Sequence, residues 1–102
     1  MQPQYSVEIL PIARDDITDI YYYIALDSPA SALKATEKIM EKIETLSNFP
    51  ERCPPAPDGA LARSGYRMMI IENYIAFFKV HKTQVLIYRV LHGKRDYPKL
   101  LK

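Results

Sequence analysis

The stretch Arg89-Val-Leu-His-Gly-Lys-Arg-Asp-Tyr97 gathers most of the chain's capacity for chemistry. It sets three cations, Arg89, Lys94 and Arg95, around the imidazole of His92 and ends on the phenol of Tyr97. These are ingredients for work on a phosphodiester. A cation stabilises the charge that develops on phosphoryl oxygens. An imidazole titrating near neutrality moves protons, and a phenol donates one or stacks on a base. No metal is implied, because two histidines and one cysteine without ligand spacing give no zinc signature. A phosphate-cradling glycine loop and a Gly-x-Ser-x-Gly elbow are both absent from the sequence. A metal-free mechanism would have the substrate's own 2′-hydroxyl attack the neighbouring phosphate.

Each of these residues also has a plain structural reading. A histidine just after a strand serves as a hydrogen-bonded turn residue, Arg95-Asp96 as a local ion pair of little energetic worth, and Tyr97 as a cover for the core's edge. Tyr21-Tyr22-Tyr23 reads as helix packing, since adjacent residues face different ways. Cys53 sits among prolines with no histidine or helix start beside it, so it is assigned no nucleophilic role.

The elements that must position the motif follow from periodicity. Tyr5 to Leu10 alternates, with Tyr5, Val7 and Ile9 on one face, and predicts a first strand. Pro11 suits the first turn of a helix over roughly residues 12–26, whose stripe is Ala13, Ile17, Ile20 and Ile24. Asp15, Asp16 and Asp19 lie towards its start, where the helix dipole favours negative charge. Ser28 caps and Pro29 opens a second helix reaching about residue 47, with Leu33, Thr36, Met40, Ile43 and Leu46 as its stripe and Ile39 beside it. The short link predicts an antiparallel helical hairpin. Prolines and glycines across residues 50–65 predict a rigid loop without regular structure. Strands over residues 66–71, 74–80 and 84–91, joined by short turns, predict an antiparallel meander. The order β-α-α-β-β-β gives an α+β fold, a helical hairpin packed on a small antiparallel sheet.

Composition agrees with a soluble globular chain: 102 residues, 48% apolar, 25% charged, net charge +2. A lone cysteine excludes an internal disulfide scaffold. No apolar run approaches the ~18 residues of a membrane span, and no basic-then-apolar leader opens the chain. A single cytoplasmic domain over residues 1–102 is expected. The charge is polarised. Residues 1–50 hold four basic against eight acidic side chains, net −4, and residues 51–102 hold ten against four, net +6. A basic half suits a phosphate backbone or an acidic partner, or else solubilises strand edges and loops.

The element order, Ala13-Arg-Asp-Asp-Ile17, Asn73-Tyr-Ile-Ala-Phe-Phe78 and the 89–97 motif together resemble the RelE/ParE superfamily, the toxin halves of bacterial type II toxin–antitoxin modules. The resemblance spans nearly the whole chain. It implies a cognate antitoxin as partner, no cofactor, no metal and no membrane. Two activities are known on this fold. The RelE-like branch is a metal-independent endoribonuclease that cuts messenger RNA on the ribosome. By that resemblance Arg67, His92, Arg95 and Tyr97 would be its catalytic set, with Arg67, Arg89, Lys94 and Arg95 as phosphate contacts. The ParE-like branch inhibits DNA gyrase and lacks the full set. Here Ile75 stands where RelE-like enzymes carry an arginine after a tyrosine, and Met69 replaces a lysine. Losing the arginine removes about 3 kcal/mol of transition-state stabilisation. The resemblance therefore leans towards ParE-like gyrase inhibition, with the ribosome-dependent nuclease as the alternative and a non-toxic binding module as a further one.

Overall fold

The computed structural model describes residues 4–101. Strand β1 (Ser6–Ile9) leads directly into helix α1 (Pro11–Ala25), and α2 (Pro29–Glu44) returns antiparallel to it. Two 3-10 turns, Thr45–Ser47 and Pro50–Arg52, and a short helix α3 (Gly59–Arg63) precede β2 (Arg67–Ile71), β3 (Tyr74–His81) and β4 (Gln84–His92). A single turn, α4 (Tyr97–Leu100), follows. The expected α+β order is present, with the α1–α2 hairpin on one face of a four-stranded sheet and the short helices α3 and α4 on the other.

Local chemistry explains the boundaries. Pro11 occupies the first turn of α1, where a missing N–H costs nothing. The Ser28 hydroxyl accepts the Ser31 N–H at 3.2 Å, capping α2 behind Pro29. The Asp58 carboxylate does the same for α3 through Leu61 N–H at 3.0 Å. Residues 50–65 thus carry short helical turns where a featureless loop was expected, because Pro50 and Asp58 each start one.

The sheet is mixed rather than wholly antiparallel. Its order is β1-β4-β3-β2, and β1 runs parallel to β4 with Val7 opposite Val85. The helical hairpin carries the chain back across the sheet before the meander begins, so the first strand meets the last one pointing the same way. Between β3 and β4 the register shifts: Phe78 opposes Ile87 but Phe77 opposes Arg89, leaving Tyr88 as the extra residue of a β-bulge.

Two apolar clusters flank the sheet. The helix-side core joins Ile39, Ile43 and Leu46 to Phe78, Val85, Ile87 and Val90; each such large side chain is worth about 1.5–3 kcal/mol when buried. Tyr5, Val7 and Ile9 line it from one face of β1, as the alternation implied. In α2 the buried positions are Ala32, Thr36, Ile39 and Ile43, so the stripe is rotated from the expected one and Leu33 stays 54% exposed. Thr36 satisfies its hydroxyl on the Ala32 carbonyl at 2.9 Å. The opposite face holds a second cluster of Ala56, Leu61, Tyr66, Phe77 and Leu91, against which Tyr97, Leu100 and Leu101 pack.

Candidate functional site

The end of β4 is where the functional motif meets the rest of the molecule. β1 stops at Ile9, opposite Ile87, so the last turns of β4 have no strand neighbour on that side. Helix α1 stands there instead. Asp16, Asp19, Ile20 and Tyr23, one face of α1 at helical spacing, form one wall of a recess of about 620 Å³. Tyr74, His92 and Arg95 supply the other wall, with Val90 and Leu91 at its base.

Each titratable group has a defined environment. The His92 ring meets Tyr74 edge-on at 5.5 Å between centroids. Its Nδ1 accepts the Lys94 N–H at 3.2 Å, which in the neutral imidazole places the proton on Nε2. The Arg95 N–H bonds the His92 carbonyl at 2.9 Å and closes a tight turn. The Tyr74 phenol is pushed above its ordinary range, first by burial and then by the neighbouring Tyr23 phenol.

The phosphate-binding candidates are dispersed. Arg89 is bound inward: Nε and one Nη donate to the two carboxylate oxygens of Asp16 at 2.7 and 2.9 Å, and the other Nη reaches the Leu100 carbonyl at 3.2 Å. Donating to the Asp16 carboxylate raises the arginine's pKa further, against the opposing effect of burial. Arg67 opens β2 and clamps the loop before it, donating to the Cys53 carbonyl at 2.6 Å and the Glu51 carbonyl at 3.3 Å. Across the sheet His92 opposes Tyr74, and Tyr74 opposes Ile71, so Arg67 lies two strands over and a further four residues, about 13 Å, along β2. Tyr97 packs on Phe77 at 4.8 Å, on the face away from the helical hairpin. Of the four residues that the nuclease reading groups together, the structure brings only His92 and Arg95 into one recess. Lys94 and Arg95 are exposed on the turn after β4. Asp96 approaches Lys99 at 3.7 Å, rather than Arg95 as the adjacent sequence suggested.

Several cations of the basic half are consumed structurally. Beside Arg67 and Arg89, Arg52 donates to the carbonyls of Thr45, Asn48 and Phe49, tying off the end of the second helix. The +6 half therefore offers less free positive charge than its composition suggests.

Sequence reasoning missed two groups. Ile20 belongs to the expected stripe of α1 and does pack against the core, but it sits at the stripe's edge and also lines the recess with Asp16, Asp19 and Tyr23, a role that the dipole and packing readings of those residues do not include. On the face away from the helical hairpin, the Lys79 ammonium lies over the rings of Tyr66 and Tyr88, at 4.4 and 5.1 Å. The period-two spacing of Phe77 and Lys79 was the available signal. Ile75, at the position where the nuclease branch has its arginine, packs against the second apolar cluster.

Comparison with known proteins follows this geometry. The family model described as ParE toxin of type II toxin-antitoxin system, parDE, matches residues 7–97. The chain is similar in structure to a chain of the chromosomal ParDE toxin–antitoxin system from P. aeruginosa, with a TM-score of 0.74 and 26% identity over 89% of this chain and 98% of that one. It also shares its fold with a chain of the toxin–antitoxin complex RelBE2 from Mycobacterium tuberculosis, with a TM-score of 0.57 and 24% identity over 87% and 98%. None of the curated proteins matches it in sequence.

Proposed function

The chain belongs to the ParE toxin family of type II toxin–antitoxin systems, and from that premise we propose that it arrests growth by poisoning DNA gyrase, without cutting RNA. The observation that carries this reading is the dispersal of the nuclease set. Arg67 clamps a loop, Tyr97 lies against Phe77 on the opposite face, and Ile75 presents hydrocarbon where a guanidinium would be needed. A phosphodiester in the recess would meet only Arg95 and His92, and preorganised charge is the main source of such catalysis. The higher structural similarity to the ParDE chain supports the same branch.

The contact surfaces under this reading are the exposed basic turn of Lys94 and Arg95 and the tip of the helical hairpin, where Tyr22, Tyr23 and Leu26 are exposed. The toxin acts in the cytoplasm and is neutralised by a cognate antitoxin, a partner supported by the ParDE character of the P. aeruginosa neighbour. An acidic, disordered antitoxin segment would gain charge pairing with the basic half on ordering.

Induction in growing cells tests the proposal. The expected result is arrested growth, induction of the DNA-damage response and gyrase–DNA cleavage complexes, with transcripts intact. Primer extension that shows cuts within translated transcripts, lost in Arg95→Ala, would overturn it, as would undisturbed growth.

A further inference from the structure

The recess beside α1 has features that the toxin reading does not use. Its volume of about 620 Å³ falls within the ~300–1,000 Å³ of small-molecule sites. Some of its polar groups are already committed. Asp16 is neutralised by Arg89, and Nδ1 of His92 accepts the Lys94 N–H. Asp19 and Arg95 are not committed. They line the recess from opposite walls, yet neither forms an ion pair, with the other or elsewhere, among the described residues. One charge of each sign leaves the recess without a preference for an anion or a cation. It suits a group that offers donors to the carboxylate and acceptors to the guanidinium.

The walls say what shape that group has. Tyr23 on α1 stands across from Tyr74 on β3, and the His92 ring braces Tyr74 edge-on. A flat ring gains stacking surface there that an aliphatic zwitterion does not. Among the nucleobases, the donor and acceptor pattern selects one. Guanine presents two adjacent donors, N1–H and the N2 amino group, to a carboxylate, and offers O6 and N7 to an arginine. Adenine and cytosine carry a ring-nitrogen lone pair beside the amino group. Thymine and uracil flank their one N–H with carbonyl oxygens. Each of these four would set a lone pair against the carboxylate. We propose that the recess between Asp19 and Arg95 binds a guanine base, with Asp19 reading N1–H and N2, Arg95 reading O6 and N7, and the tyrosines stacking. Lys94, exposed on the turn that carries Arg95, offers a contact for the attached phosphate. The base can belong to a free nucleotide or to an unpaired strand, which share this chemistry. The inference does not depend on gyrase being the target.

The test uses the folded full-length protein, isotopically labelled, with GMP, AMP and two short single-stranded thymidine oligonucleotides that carry a central guanine or adenine. GMP should shift the amides around Asp19 and across residues 91–95 saturably. AMP should bind at least about tenfold more weakly, the discrimination of one bidentate pair. Both carry the same phosphate, so attraction to Lys94 and Arg95 alone does not produce that difference. Asp19→Asn should erase the preference for guanine, since an amide pairs equally well with adenine. Tyr23→Ala should weaken both nucleotides about tenfold and keep the preference, because stacking is indifferent to the base. Tighter binding of the guanine oligonucleotide than of GMP assigns the base to a strand, and weaker binding assigns it to a free nucleotide. No shift up to about 10 mM of either guanine probe, shifts centred elsewhere, equal binding of GMP and AMP, or a preference that survives Asp19→Asn would each overturn the proposal.

Discussion

Asp16 on α1 holds Arg89 on β4 through two parallel hydrogen bonds and accepts the Val90 N–H with one of the same oxygens. A single carboxylate thus closes the open edge of the sheet, neutralises a half-buried guanidinium, and fixes the helix that walls the recess. Both side chains are largely removed from water, at 15% and 11% exposure. Asp16→Ala leaves the guanidinium and the N–H without partners and should cost about 3 kcal/mol in urea unfolding. Adding Arg89→Ala should cost less than the sum of the single changes by about 1 kcal/mol, since the pair acts as a unit. Additive costs would show that the two residues stabilise the fold independently.

The tyrosines predict how stability depends on pH. Burial raises the Tyr66 phenol, with help from Tyr88, and raises the Tyr74 phenol, with help from Tyr23. In the unfolded chain both titrate near 10, so the unfolded chain loses protons first. Their contribution is complete below about pH 10 and disappears as pH rises through the higher folded values. The urea midpoint should therefore fall from about pH 10 upward, and Tyr66→Phe should flatten that fall. An unchanged slope in both Tyr66→Phe and Tyr74→Phe would contradict it.

Cys53 should be inert. It is 6% exposed, and burial pushes its thiol up despite the charges of Arg52 and Arg67 nearby. Iodoacetamide at mildly alkaline pH should modify the folded protein at least about tenfold more slowly than the urea-unfolded chain. Equal rates would mean that the loop opens freely.

Lys82 begins the two-residue turn between β3 and β4 with φ of 56°, in the left-handed region that an ordinary side chain resists. Lys82→Gly should raise stability by about 0.5–1 kcal/mol in urea unfolding, and Lys82→Val should lower it by a similar amount. Glu72 is the equivalent residue of the preceding turn, with φ of 55°, but it pairs with Lys38 at 2.8 Å, so Glu72→Gly loses a contact as well.

What the sequence disclosed and what it withheld divide along physical lines. Pro11, Ser28 and Pro29 announce the helix starts because capping is local chemistry, and the alternation of Tyr5, Val7 and Ile9 announces which face of β1 is buried. The direction in which β1 pairs with β4 depends on how the hairpin returns the chain, which no local pattern encodes. The bulge at Tyr88 has no glycine to mark it, yet it decides that the Val90 N–H faces Asp16. Nor could spacing reveal that Arg67 and Arg89 are spent on carbonyls and on Asp16. Residues close in sequence, such as His92 and Arg95, end in one recess because a single turn joins them. Tyr97, only two residues further on, crosses to the other face to cover Phe77.

The most direct measurement incubates the purified protein with DNA gyrase, ATP and supercoiled plasmid, and in parallel with translating ribosomes. The account predicts linear plasmid with gyrase covalently attached, and messenger RNA of unchanged length. Cleaved messenger RNA with gyrase turning over normally would contradict it.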